Sequence, residues 1–371
     1  MNHTTFTTPV AVVGLGLLLP GATDKQSLWK LISAGESGIV RVPDSQFDRK
    51  KIFDARKGVV GFTYSDLAGL VDYSVVDTDR IANAFPFLST DEIKGLDKAH
   101  VAYASTVVDA MESARIRPMD LADQSAGVYI GHATPSGTYG DYSFGILVPE
   151  IAELLRDLDS IKQENIDADK LINELINSVR ARMPHRTKSN NPELSANAVA
   201  KYISRAYHLH GPAMVFNSSC ASSLQAFAHA VKAIRRGEIE TAIVGGASCF
   251  QVNTLVLFSL AHSLSASGSF PFTEQADGLI VGEGYVTVIL KSLPHALRDG
   301  NPILALVRGV GISSDGKGKS LWAPRSEGQV ESIRRAYSDS KILEGLQYVE
   351  CHATSTHLGD ATELESLTTV L

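Results

Sequence analysis

Apolar positions along the chain fall into short unbroken blocks, and stretches of helical spacing separate them. VAVVGLG (10–16) is a β-branched run closed by glycines, which predicts a buried strand. DKQSLWKLISAG, from 24, carries an N-cap residue, helical spacing and a stopping glycine. A second helix is expected over 91–115, and AGVYIGHA (126–133) reads as another buried strand. Residues 148–187 differ: Asp, Glu, Lys, Leu and Ile recur at helical spacing, which predicts a helical excursion from the core. Beyond it come PAMVFNSSC as a strand, 221–236 as a helix and TAIVGGASC (241–249) as a strand. EGYVTVILKSL (283–293) and ILALVRGVGIS (303–313) read as further strands, 327–340 as a helix and LQYVECHATST (346–356) as a strand with a polar exit. Strands alternating with helices predict an α/β fold with layered sheets. GDATELESLTTVL (359–371) reads as the first part of a helix, so the domain is expected to be incomplete at its C-terminal end.

Composition narrows the function classes. Of 371 residues, 44% are hydrophobic and 20% charged, enough apolar material for a substantial core. The net charge of −7 argues against nucleic acid as a partner. The apolar opening lacks a basic lead and a cleavage site, and Pro20 and Gly21 end it far short of a membrane span. Three cysteines, Cys220, Cys249 and Cys351, are too few for a disulfide framework, so a reducing, cytoplasmic setting is expected.

Two glycine-rich stretches resemble nucleotide loops without meeting their requirements. In GLGLLLPG (14–21) the third glycine is displaced and proline stands where a helix should start. GISSDGKG (311–318) has Gly318 where a P-loop needs Ser or Thr for magnesium. The histidines show no metal-binding spacing, so no metal site is expected.

The remaining chemistry centres on FNSSCASSLQAFAHAVKAIRRGE (216–238). A thiol reacts as thiolate, and a helix N-terminus lowers its pKa through unpaired N–H groups and the macrodipole. Cys220 follows a strand and directly precedes a helix whose Ala221, Leu224, Ala228, Val231 and Ala233 point in several directions, so that helix is expected to be buried. Small neighbours Ser218, Ser219, Ala221 and Ser222 leave room for an acyl group. Cys220 is therefore either a nucleophile or a small core residue. Cys249 and Cys351 read as structural. His352, followed by Ala, Thr, Ser and Thr at a strand's carboxyl end, sits where α/β sheets place ligands.

The order of motifs resembles the β-ketoacyl synthase (condensing-enzyme) family of the thiolase-like fold. GPAMVFNSSCASSLQAFAHA resembles its nucleophile motif, PFTEQADGLIVGEGYVTVILK its Asp-Gly and Gly-Glu-Gly segment, and VECHATSTHLGDATELESL its histidine motif. The likeness runs from about residue 9 to the end. It implies one synthase domain over 1–371, with an N-terminal half to about 297 that carries the 148–187 insertion, and the start of a C-terminal half from about 298. SSDGKGKSLWAPRSEGQVESIRRAY and ATSTHLGDATEL look most like iterative type I polyketide synthases of the enediyne and polyunsaturated-fatty-acid-like groups. By resemblance, Cys220 accepts an acyl chain from the phosphopantetheine arm of an acyl carrier protein, with no bound cofactor. A malonyl thioester is then decarboxylated and attacks the acyl-cysteine. His352 would support decarboxylation, Thr354 and Thr356 would hold the pantetheine arm, and the Cys220 N–H would be half an oxyanion hole. Glu283 would order the family's active-site lysine, and Asp360 and Glu363 would form a structural pair. A homodimer through the strand around 214–216 is also implied. Ala353 and Ser355 replace two family glycines, a small steric change. The family's lysine, second histidine and second oxyanion donor have no counterpart within these residues, so the alternative is an inactive fragment that dimerises or binds a carrier protein.

Overall fold

The computed structural model describes residues 8–122, 124–132, 137–158, 167–182, 195–318, 323–337 and 340–371. Among them, the apolar blocks form strands β1 (Val10–Leu18), β2 (Ile39–Arg41), β3 (Leu67–Gly69), β4 (Ala126–His132), β5 (Ala213–Phe216), β6 (Thr241–Ser248), β7 (Val281–Gly282), β8 (Gly284–Ser292) and β9 (Ala305–Val307). The main sheet is six-stranded in the order β5-β4-β6-β8-β1-β9. β5, β4 and β6 run parallel, β8 is antiparallel to β6, and β1 is antiparallel to both β8 and β9. A small sheet β2-β3-β7 lies apart from it.

Successive strand residues point to opposite faces, and both faces here are covered. Ala11, Val13, Val128, Ile130, Ile243 and Ile289 join the core under helix Lys98–Ser113. Their neighbours Val10, Tyr129, Ala242, Val244 and Leu290 join a second core with Ala226, Ala230, Val231 and Ile234 of helix Ser222–Arg235. Double coverage is why these strands read as continuous apolar runs. The nucleotide-like glycines also find their use here. A Cβ at Gly14 would lie 2.2 Å from the Ala110 carbonyl oxygen and one at Gly16 2.0 Å from that of Thr106, so both let helix Lys98–Ser113 press onto β1.

Four expectations change. The stretch 91–115 is two helices, Thr90–Lys94 and Lys98–Ser113, because the Asp97 carboxylate accepts from the Ala99 N–H and starts the second. The expected strand 303–313 yields only Ala305–Val307, paired to β1; beyond it, Gly309 and Gly311 lie against the backbone of helix Ser326–Ala336. The expected strand 346–356 carries no ladder, because no described strand lies alongside to bond it; Tyr348 is exposed. The helical excursion begins at Gly137, with helices Gly137–Glu153 and Ala168–Arg182 packed together; the rest of 148–187, at 159–166 and 183–187, lies outside the described residues. The last helix, His357–Val370, starts on Thr356, whose hydroxyl accepts from the Gly359 N–H at 3.2 Å, and it packs on Ser326–Ala336.

Candidate active site

β5, β4 and β6 are parallel, so their carboxyl ends open on one side, and Cys220 emerges there after a tight elbow. Ser219 is left-handed, with φ 53°. The Ser222 hydroxyl braces the turn by accepting from the Ser218 N–H at 2.9 Å and donating to the Ser219 carbonyl at 2.6 Å. Gly131 of β4 admits the helix start: a Cβ there would meet the Ser223 nitrogen at 2.3 Å. The helix is covered along its length, but its first turn is not. Leu224 is 72% exposed and Cys220 is exposed, unlike the buried setting expected from its apolar sequence.

The fold brings Cys220 and His352 together. The interaction of the thiol with the imidazole lowers the Cys220 pKa below an ordinary thiol and raises that of His352 above an ordinary imidazole. For Cys220, the His352 hydrogen bond is the largest cause; burial opposes it, and the imidazolium charge and the residue's own backbone N–H add to it. For His352, the Cys220 hydrogen bond again leads, with the Glu363 and Asp360 carboxylates adding charge. A partner far along the chain thus adds to whatever the helix terminus contributes to the thiol.

His352 sits in a loop gripped from the following helix. The Glu363 carboxylate accepts from the His352 N–H at 2.6 Å and the Ala353 N–H at 2.9 Å. The Thr354 and Thr356 hydroxyls lie 3.0 Å apart, both half-buried beside the pair. Asp360 is buried and accepts from the Phe272 N–H at 2.7 Å. Ala353 and Ser355 adopt φ 48° and 60°. Replacing family glycines there is therefore more than a steric change, since left-handed backbone costs a residue with a Cβ roughly 1–2 kcal/mol. Sequence reasoning took Ser222 only as a small neighbour and Ser355 only as a glycine replacement, and missed the hydrogen bonds through which each shapes the site.

Glu283 is not in this loop. Its buried carboxylate accepts from the Val71 N–H (2.9 Å), the Tyr73 hydroxyl (2.9 Å) and the Phe250 N–H (3.0 Å), tying its own strand region to the 71–73 and 250 segments. Cys249 is buried and Cys351 half-buried. A cavity of about 450 Å³ lies against β1 and helix Lys98–Ser113, but Cys220 and His352 are not in its lining, and its Arg80 is held by Asp109 and Glu112. Among the described residues no His/Cys/Asp/Glu group could hold a metal ion, and no helix is long and apolar enough to cross a membrane.

The β-ketoacyl synthase N-terminal domain model matches residues 7–296, and the C-terminal domain model of the same family matches 304–371. The chain belongs to the β-ketoacyl synthase family. Across 97% of its length, this ketosynthase chain is 30% identical to the pikromycin polyketide synthase component PikAII of Streptomyces venezuelae, covering 9% of that protein. It is 31% identical to 6-hydroxymellein synthase cdmE of Talaromyces verruculosus, across 97% of the chain and 12% of that protein. The solved ketosynthase from module 6 of the bacillaene synthase of Bacillus subtilis 168 superposes with a TM-score of 0.75 at 25% identity, covering 98% of this chain and 54% of that one. The fold is thus the thiolase-like α/β fold of polyketide synthase ketosynthases. The chain spans about half the length of that solved ketosynthase and a small part of the curated relatives.

Proposed function

We propose that this ketosynthase chain carries out a decarboxylative Claisen condensation, with Cys220 as the acylated nucleophile and His352 as its partner. Ketosynthase domains of polyketide synthases catalyse that condensation during chain elongation. The reading is supported by the pairing of Cys220 with His352, distant in sequence, in which the imidazole lowers the thiol's pKa and the thiol raises the imidazole's. Cys220 Sγ attacks the thioester carbonyl of an acyl group on the phosphopantetheine arm of an acyl carrier protein. A new C–S bond forms, the old one breaks, and the pantetheine thiol leaves with the proton that Cys220 gave up. Acylation removes the negative sulfur that raised the His352 pKa, so the imidazole returns toward neutrality and can donate to a developing oxygen anion. The malonyl unit then loses carbon dioxide, and its carbanion attacks the acyl carbon and expels the Cys220 thiolate. Thr354 and Thr356 offer two adjacent hydroxyls for the amide groups of the pantetheine arm. Glu363 holds the histidine loop, Asp360 holds the 270–272 turn, and Glu283 holds the 71–73 and 250 segments.

A second reading is a chain that binds a carrier protein and a second copy of itself without turnover. It is favoured by the exposure of Cys220 and by β5, a sheet edge whose Met214 is 45% exposed. Supplying acyl thioester and malonyl-carrier protein separates the two. Both acyl-Cys220 and β-ketoacyl product are expected on the first reading. Absence of product selects the second, and absence of an adduct on Cys220 as well overturns the first at its loading step.

A further inference from the structure

Ser355 occupies a position where its backbone is costly and its side chain is fully enclosed. Its φ is 60° and its exposure 0%. A left-handed residue with a Cβ persists only where its surroundings over-determine it. Here two bonds do so, both to the loop that approaches the site from the other side. The Ser355 hydroxyl accepts from the Phe270 N–H at 2.9 Å, and the Ser355 carbonyl accepts from the Gly278 N–H at 2.8 Å. The Ser355 hydroxyl is therefore engaged by the 270–278 segment, while the hydroxyls of its flanking residues Thr354 and Thr356 lie 3.0 Å apart and bond each other. A glycine would supply the carbonyl bond but not the hydroxyl bond, and it would leave the twist free to relax.

We propose that Ser355 is a positioning residue for acyl loading: its hydroxyl fastens the histidine loop to the 270–278 segment, aligning Thr354 and Thr356 for the pantetheine arm. This rests on the reading of Cys220 as the acylated thiol. The residue touches neither substrate nor reacting atoms and acts through the backbone it holds. Its effect should therefore fall on the part of the substrate that the two threonines meet. The loss should be larger for a donor with a full pantetheine arm than for one without it.

The test compares the unsubstituted chain with Ser355→Ala and Ser355→Gly, using acetyl-pantetheine and the shorter acetyl-N-acetylcysteamine as donors. Loading of Cys220 is followed by intact-protein mass spectrometry, and folding by thermal melting. Ser355→Ala keeps the Cβ and its backbone cost but removes the acceptor; Ser355→Gly removes both. With both variants folded, loading from acetyl-pantetheine is expected to slow about fivefold, through a higher KM, and loading from the short donor to change less than twofold. Equal slowing with both donors, unchanged loading, or loss of folding in both variants assigns the hydroxyl a purely structural role and overturns the proposal. An unsubstituted chain that fails to load from either donor would instead refute the reading on which this rests.

Discussion

Cys220 and Cys249 emerge at the same end of the same sheet, Cys220 after β5 and Cys249 directly after β6, with one strand between the two. Their thiols are driven in opposite directions. Cys249 is 5% exposed, and burial, with the charge of Asp97, pushes its thiol up to about 11. Cys220 is exposed, and its interaction with His352 lowers its thiol. A strand end and apolar neighbours, common to both, therefore do not make a nucleophile. The difference lies in a loop that arrives from far along the chain: the Cys220 side of the sheet meets His352, and the Cys249 side meets carboxylates. Near a carboxylate the thiolate is disfavoured, and near an imidazole it is favoured.

The largest consequence is chemical selectivity. At pH 7, iodoacetamide should label Cys220 on the order of 10²-fold faster than Cys249, since a thiol near 11 offers almost no thiolate. Cys351 belongs with Cys249, because burial and then Glu363 and Glu350 raise its pKa. Peptide mass spectrometry over a time course measures the ratio. Labelling of Cys249 or Cys351 ahead of Cys220 would break the comparison at its root.

A sharper cut removes the partner. His352→Ala takes away the first cause of the lowered thiol pKa. The pH midpoint for Cys220 alkylation should then move up toward that of an ordinary thiol. At pH 7 the rate should fall about tenfold, the scale of one charge-assisted hydrogen bond. The sign follows from the direction of the shift: with His352 present the thiolate survives to lower pH, and without it only higher pH restores the rate. A midpoint unmoved by the substitution would return the activation to the helix terminus.

How much of this could be read from the chain depended on where each element finds its partner. β1, β4, β6 and β8 were legible because both their faces are buried against neighbours close in the sheet, so burial is written as unbroken apolar runs. The stretch 346–350 has a similar pattern, yet no described strand flanks it, and a strand exists only as a member of a ladder. The Cys220 motif and the His352 motif were each visible, and the cap at Asp24 announced its helix, whereas the cap at Thr356 went unread. The contact between thiol and imidazole was not visible, nor was the grip of Glu363 on two backbone N–H groups, because both join elements through the fold. The left-handed twist at Ala353 and Ser355 left a trace only as two departures from glycine.

The smallest expected effect lies on the Cys249 side, where a histidine is also present but serves the fold. His132 is 2% exposed, its Nδ1 lies 2.9 Å from the Ala247 carbonyl oxygen, and its ring meets His100 edge to face at 6.1 Å. Burial lowers its pKa, against smaller opposing contributions from the Ala247 carbonyl and the Asp97 charge. The folded chain therefore holds His132 neutral at a pH where the unfolded chain, with an ordinary imidazole near 6.5, takes up a proton. Stability is full above that value and is lost as pH falls toward the lowered folded pKa, at up to about 1.4 kcal/mol per pH unit. His352, with its raised pKa, has the opposite slope: its contribution is full below about 6.5 and is lost as pH rises through its folded value. Urea melts at pH 7.5 and 5.5 should show the intact chain weaker at the lower pH. His132→Gln should lower stability at both pH values but flatten the dependence, because an amide does not titrate in this range. A dependence equally steep in the variant would assign the acid sensitivity to other groups and leave the buried histidine without the role that separates it from His352.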